Sequence, residues 1–124
     1  MATPSAKQRI VDIVTNIRKA RSYVVAIDQD AFEQSDVIQD AVLRRLQNAS
    51  EALTRLRAEH PSEYERLERE YSEVPWIRFR GLADRYRHGY DIIDTDLVWQ
   101  DLSATGITEN VVTALAPECV FLDE

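Results

Sequence analysis

The sequence predicts an all-α protein, an antiparallel bundle of four to five helices. Apolar residues recur at three- and four-residue steps along most of the chain, the spacing of a single helix face. Residues able to cap a helix stand at the start of these runs, with proline or glycine near their ends. Only three glycines and four prolines occur in 124 residues, too little punctuation for the many turns of an all-β fold.

A chain of this length is expected to form one domain, residues 1–124, around a single modest core. Thr3-Pro4 offers a cap and a first-turn proline, and Ile10, Ile13, Val14, Ile17, Val24 and Ile27 then mark one face of a long first helix. The acids around Asp28 and Asp30 end it or begin a short turn near Phe32. Ser35 caps a second helix carrying Ile38, Val42, Leu46, Ala49, Leu53 and Leu56. That helix runs to about Glu59, where His60-Pro61 stops it, because the residue before proline is driven out of helical geometry. Its small residues Ala41, Ala49, Ser50 and Ala52 let a neighbouring helix approach closely. Tyr64, Leu67 and Tyr71 give a short, highly charged third helix one inward face.

The fourth helix is expected to begin at Pro75 and close at Gly89, with Phe79, Leu82 and Tyr86 turned inward. Asp94-Thr95-Asp96 caps a fifth, bearing Leu97, Val98, Trp99 and Leu102, which Gly106 breaks. Asn110 to Leu115 adds a last short helix, and residues 117–124 read as a loose tail.

The net charge of −7 argues against indiscriminate adhesion to nucleic acid, so a polyanion has to be drawn by a local patch. The stretch from Pro75 to Tyr90 is that patch. Arg78, Arg80, Arg85 and Arg87 crowd into it against one acid, Asp84, and His88 sits at its end between Tyr86 and Tyr90. Guanidinium groups match phosphate oxygens with forked donors, and imidazole moves protons near neutrality. Cys119 is alone, which suits a reducing cytoplasm, and no apolar run approaches the roughly 20 residues of a membrane span. The N-terminus carries no signal-peptide core, so a cytoplasmic protein is expected. No cofactor is expected either: Glu-x-x-His, a zinc-ligand pattern and a Gly-rich phosphate loop are all lacking.

The run from Gly81 to Tyr90 resembles the signature of the HepT-like branch of the HEPN superfamily: arginine, four residues, histidine, one residue, tyrosine. His88 and Tyr90 match it, as do the surrounding Gly81, Leu82 and Gly89. Ile38 to Val42, Ala49 to Ala52, Val74-Pro75-Trp76 and Asp94 to Trp99 are similar to other segments of the family, in its order. The resemblance implies a metal-independent endoribonuclease toxin with its sites brought together across a homodimer. It implies His88 as the proton-transfer residue and Tyr90 as the residue adenylylated by a nucleotidyltransferase antitoxin. Asp84 orients the site in that reading, and Arg80, Arg85 and Arg87 hold RNA phosphates. Glu51 on the second helix either faces the same place or is simply an exposed surface acid.

One position departs from the pattern. Ala83 stands five before His88, where the family carries its phosphate-stabilising arginine. On a continuous helix Arg85 lies about 200° and Arg80 about 300° around the axis from position 83, so neither replaces it. Either the chain is a silent member that binds RNA or a partner without cutting, or the alanine was introduced to disarm a toxic protein. The otherwise intact, arginine-rich motif favours the second. The alternative function is a non-catalytic nucleotide- or RNA-binding module that serves assembly.

Overall fold

Ser5 starts the first helix, α1 (Ala6–Ser22), through a reciprocal cap. Its hydroxyl accepts from the Gln8 amide at 3.1 Å, and the Gln8 side chain accepts from the Ser5 amide at 2.8 Å. Thr3 is therefore not the cap: the glutamine that completes the box lies three residues after Ser5. This computed structural model describes residues 2–87 and 92–121, the side chain of Phe121 excepted. Among the described residues every regular element is a helix.

The apolar stripe of α1 buries Ile10, Ile13, Val14, Ile17 and Ala20. Val24 and Ile27 pack against the core from beyond the helix end, not from its face. Asp28 caps a helix of its own, α2 (Gln29–Gln34), accepting from the Ala31 amide at 2.8 Å. It buries Phe32, whose ring lies 5.5 Å from that of Trp99. Ser35 then caps α3 (Asp36–Glu59), as the sequence indicates, accepting from the Ile38 amide. This 24-residue helix runs antiparallel to α1. Arg9 near the start of α1 meets Glu59 at the end of α3 in a two-pronged pair at 2.9 Å, while Arg45 reaches back to Asn16 and Tyr23. Ala49, Ser50 and Ala52 are buried, which is what close approach requires.

Pro61 opens α4 (Pro61–Glu70), which buries Tyr64 and Leu67 and half-buries Tyr71 beyond its end. The basic stretch then departs from expectation. It is two short helices, α5 (Trp76–Arg80) and α6 (Leu82–Tyr86), separated by Gly81. The chain has left helical geometry by Arg87, so α6 ends before Gly89 and does not carry His88. Trp76, Phe79, Leu82 and Tyr86 are all buried, and burying both pairs of side chains outweighs helix continuity across a glycine.

Asp94 caps α7 (Thr95–Leu102), accepting from the Leu97 amide at 3.0 Å. Gly106 follows because a Cβ there would run into the backbone carbonyls of Gln100 and Asp101. The last helix, α8 (Ile107–Phe121), is much longer than Asn110 to Leu115. It continues through Pro117, although that residue offers no amide to the Thr113 carbonyl. The tail expected from residue 117 is therefore helical to Phe121, and residues 122–124 lie outside the described residues. Glu118 explains the difference. It is 7% exposed and receives the Arg66 guanidinium and, at 2.7 Å, the Tyr71 hydroxyl. Arg21 meets Glu109 at 2.6 Å, tying the end of α1 to the start of α8. Among the described residues no helix is long and apolar enough to cross a membrane.

Candidate functional site

Helices α5 and α6 are held to the core by side chains three and four residues apart, Trp76, Phe79, Leu82 and Tyr86, which leaves their arginines outward or along the surface. Trp76 anchors the start, its indole donating to the Tyr71 carbonyl at 3.0 Å. At the other end Tyr86 is 1% exposed, and its hydroxyl donates to Asp101 at 2.9 Å. Asp101, on α7, is 2% exposed. It also accepts from Arg78 Nη2 at 3.1 Å, and Arg85 Nε stands 3.6 Å from its second oxygen. A buried carboxylate costs several kcal/mol unless charges and donors surround it. These three groups do so, and they tie α5 and α6 to α7. Burial, and then the adjacent Asp101 carboxylate, push the Tyr86 hydroxyl far above the ordinary tyrosine range, so it remains a donor.

The four arginines are thus not equivalent. Arg78 and Arg85 are drawn to Asp101. Arg80 lies over the Tyr64 ring, 5.7 Å from its centroid, with a buried Nε that has no hydrogen-bond partner among the described residues. Arg87 is exposed, just past the end of α6, and its side chain has no ion pair among the described residues. Its backbone forms an isolated antiparallel bridge with Ile93, beside a 2.8 Å hydrogen bond from the Asp94 amide to the Tyr86 carbonyl. The residues that flank segment 88–91 are therefore pinned side by side. His88 and Tyr90 themselves lie outside the described residues.

Ala83 lines a cavity of about 140 Å³ between α6, Ile93 and the flank of α3. Among the described residues Leu43, Gln47, Tyr86 and Arg87 also line it. Because Gly81 breaks the helix, the 300° offset between positions 80 and 83 does not describe their true relation. Of the motif's arginines only Arg87 shares the groove with Ala83. Asp84 is exposed and is not part of the groove lining. Glu51 is exposed and pairs with Arg55 at 3.0 Å, so it is not brought to this groove. Among the described residues no three His, Cys, Asp or Glu side chains gather closely enough to share a metal ion.

Asp101 and Gln47 escaped the sequence reading. Asp101 falls three residues after Val98, on the buried face of α7, and an acid there is a signal when four arginines lack counter-charges. Gln47 carries no local signal.

The ribonuclease HepT-like family matches residues 13–106, which take in α1 from Ile13, the whole basic stretch and Asp101. The chain belongs to the ribonuclease HepT-like family. A protein of Methanocaldococcus jannaschii named "Gamma-glutamylcyclotransferase and putative RNase" is similar, at 30% identity over 88 residues. The match covers 71% of this chain and 36% of that relative, so the chain spans about a third of the relative's length. No solved structure matches the chain. The HepT-like match stops at Gly106, just short of α8, so the groove and the Asp101 anchor lie inside it and the Glu118 anchor outside.

Proposed function

We propose that this HepT-like protein is the RNA-cleaving toxin of a toxin–antitoxin pair, acting in the cytoplasm as a homodimer without a metal ion. The observation that carries the reading is position 83. It opens into a groove that already holds Arg87, one residue from His88, in the place where the resemblance puts a phosphate-stabilising arginine. RNA supplies its own nucleophile in the 2′-OH. Cleavage then needs proton transfer, assigned to His88, and positive charge at the phosphate. Asp84 follows Ala83 directly but is exposed and outside the groove lining, so it orients the site indirectly.

Alanine cannot supply that charge, so the chain as written cuts slowly or not at all. Restoring it in Ala83→Arg is expected to raise cleavage by roughly 10²–10³, the scale for one transition-state donor. The products carry 2′,3′-cyclic phosphate ends and form in EDTA. The gain disappears when His88→Ala is added. An Ala83→Arg protein that binds RNA yet never cuts it sinks the enzyme reading and leaves the binding module, which Ala83 itself favours. Neutralisation is assigned to Tyr90. A cognate nucleotidyltransferase with ATP and magnesium is expected to add adenylyl mass to the chain but not to Tyr90→Phe; labelling of that variant places the modification elsewhere.

A further inference from the structure

The groove beside Ala83 has features that phosphate stabilisation does not use. Leu43 and Gln47 stand one turn apart on α3, so both face it together. Leu43 and Ile93 are half-buried apolar walls, and the buried Tyr86, fixed by Asp101, closes it from within. The Gln47 side chain is exposed, and its amide has no hydrogen-bond partner among the described residues. Arg87 stands at the mouth. An apolar cavity of about 150 Å³ takes up benzene, so a space of about 140 Å³ suits one flat ring and not a stack of them.

Single-stranded RNA is recognised by splaying out a base, seating its flat face on side chains and hydrogen-bonding its edge. A glutamine amide offers a donor and an acceptor side by side, the pattern that reads a base edge. We infer that the groove is a subsite for one unpaired nucleobase, with Gln47 reading its edge and Arg87 holding the adjoining phosphate. The inference rests on the ribonuclease reading and makes Gln47 a specificity-determining residue within it. A side chain from a second copy is the competing occupant. The charge favours RNA, because the exposed guanidinium of Arg87, which meets no acid among the described residues, sits at the rim while the chain as a whole carries −7.

The test uses the full chain as it stands and four labelled single-stranded pentanucleotides differing only in the central base, read by fluorescence anisotropy. One base is expected to bind on the order of tenfold more tightly than the weakest. Gln47→Leu collapses that spread while the variant keeps its melting temperature. Ala83→Leu, which fills the groove without adding charge, does the same. Arg87→Ala weakens all four oligonucleotides alike. A spread unchanged in Gln47→Leu overturns the inference, as does a flat response from the unaltered chain. So does a Gln47→Leu protein whose oligomeric state changes while its base preference does not, since the groove is then a contact between copies. The ribonuclease reading is judged separately by Ala83→Arg: cleavage there with no base preference here removes the subsite alone, and an Ala83→Arg protein that never cuts removes the enzyme whatever the base preference.

Discussion

Asp101 decides which of the motif's arginines are available. Its carboxylate is buried and already holds Tyr86, Arg78 and Arg85, so those guanidiniums meet a negative charge before any phosphate arrives. Arg87 meets none among the described residues. Replacing each therefore has a different signature. Arg87→Ala is expected to flatten the salt dependence of single-strand RNA binding by about 0.7 in slope, the share of one neutralised phosphate. Arg85→Ala leaves that slope nearly unchanged and lowers stability instead. Asp101→Asn keeps the shape and removes the counter-charge, at about 2–3 kcal/mol. That is below the full range for breaking a buried pair, because Arg78 and Arg85 both reach water. Urea titrations, and binding measured at salt concentrations from about 50 to 200 mM, separate these outcomes. A slope that falls as much in Arg85→Ala as in Arg87→Ala contradicts the division.

Whole helices show the same competition between local pattern and distant contact. Caps at Ser35 and Asp94 and the stop at His60-Pro61 were legible because each acts within four residues, whereas Asp28 was read as a helix end or turn and instead caps α2. The inward sets Tyr64 and Leu67, and Phe79, Leu82 and Tyr86, followed from spacing alone. The break at Gly81 and the length of α8 did not. One depends on aromatic anchors bound to different neighbours. The other depends on Glu118, which finds Arg66 and Tyr71 on the far side of the chain. The groove was only half legible for a related reason: position 83 was visible as a departure, but its partner Gln47 comes from another helix.

The α8 anchor also has a pH signature. Burial pushes the Glu118 carboxyl up, but donation from Arg66 and Tyr71 outweighs this and holds it below its ordinary value of 4.5. The unfolded chain thus takes up this proton at a higher pH than the folded one. The stabilisation is complete above about 4.5 and drains away as pH falls through the lower folded value. Glu118→Gln is expected to melt lower at about pH 6 and to lose less than the parent between about pH 5 and 3. Parallel melting curves for the two proteins across that range would exclude the anchor as an acid-sensitive element.

At the scale of the whole molecule the basic stretch is bordered by apolar side chains in water. Ile77, between Trp76 and Arg78, is 73% exposed, and Ile92, just past segment 88–91, is 64% exposed. Single exposed isoleucines are ordinary on a protein surface. Two that bracket a basic, groove-bearing motif describe an apolar border around a polar centre, which a second copy can cover symmetrically. A stable contact takes about 800 Å² from each partner, roughly a tenth of the 7388 Å² available here. Light scattering at micromolar concentration is expected to give twice the chain mass of 14.3 kDa. Ile77→Asp, at an exposed position outside the core, shifts it to one. In the Ala83→Arg background the same change lowers RNA cleavage, because each site then loses the charge contributed by its partner. A monomer before any substitution removes the shared site from the mechanism. A dimer untouched by Ile77→Asp moves the contact to another face and leaves Ile77 and Ile92 free to meet a different protein.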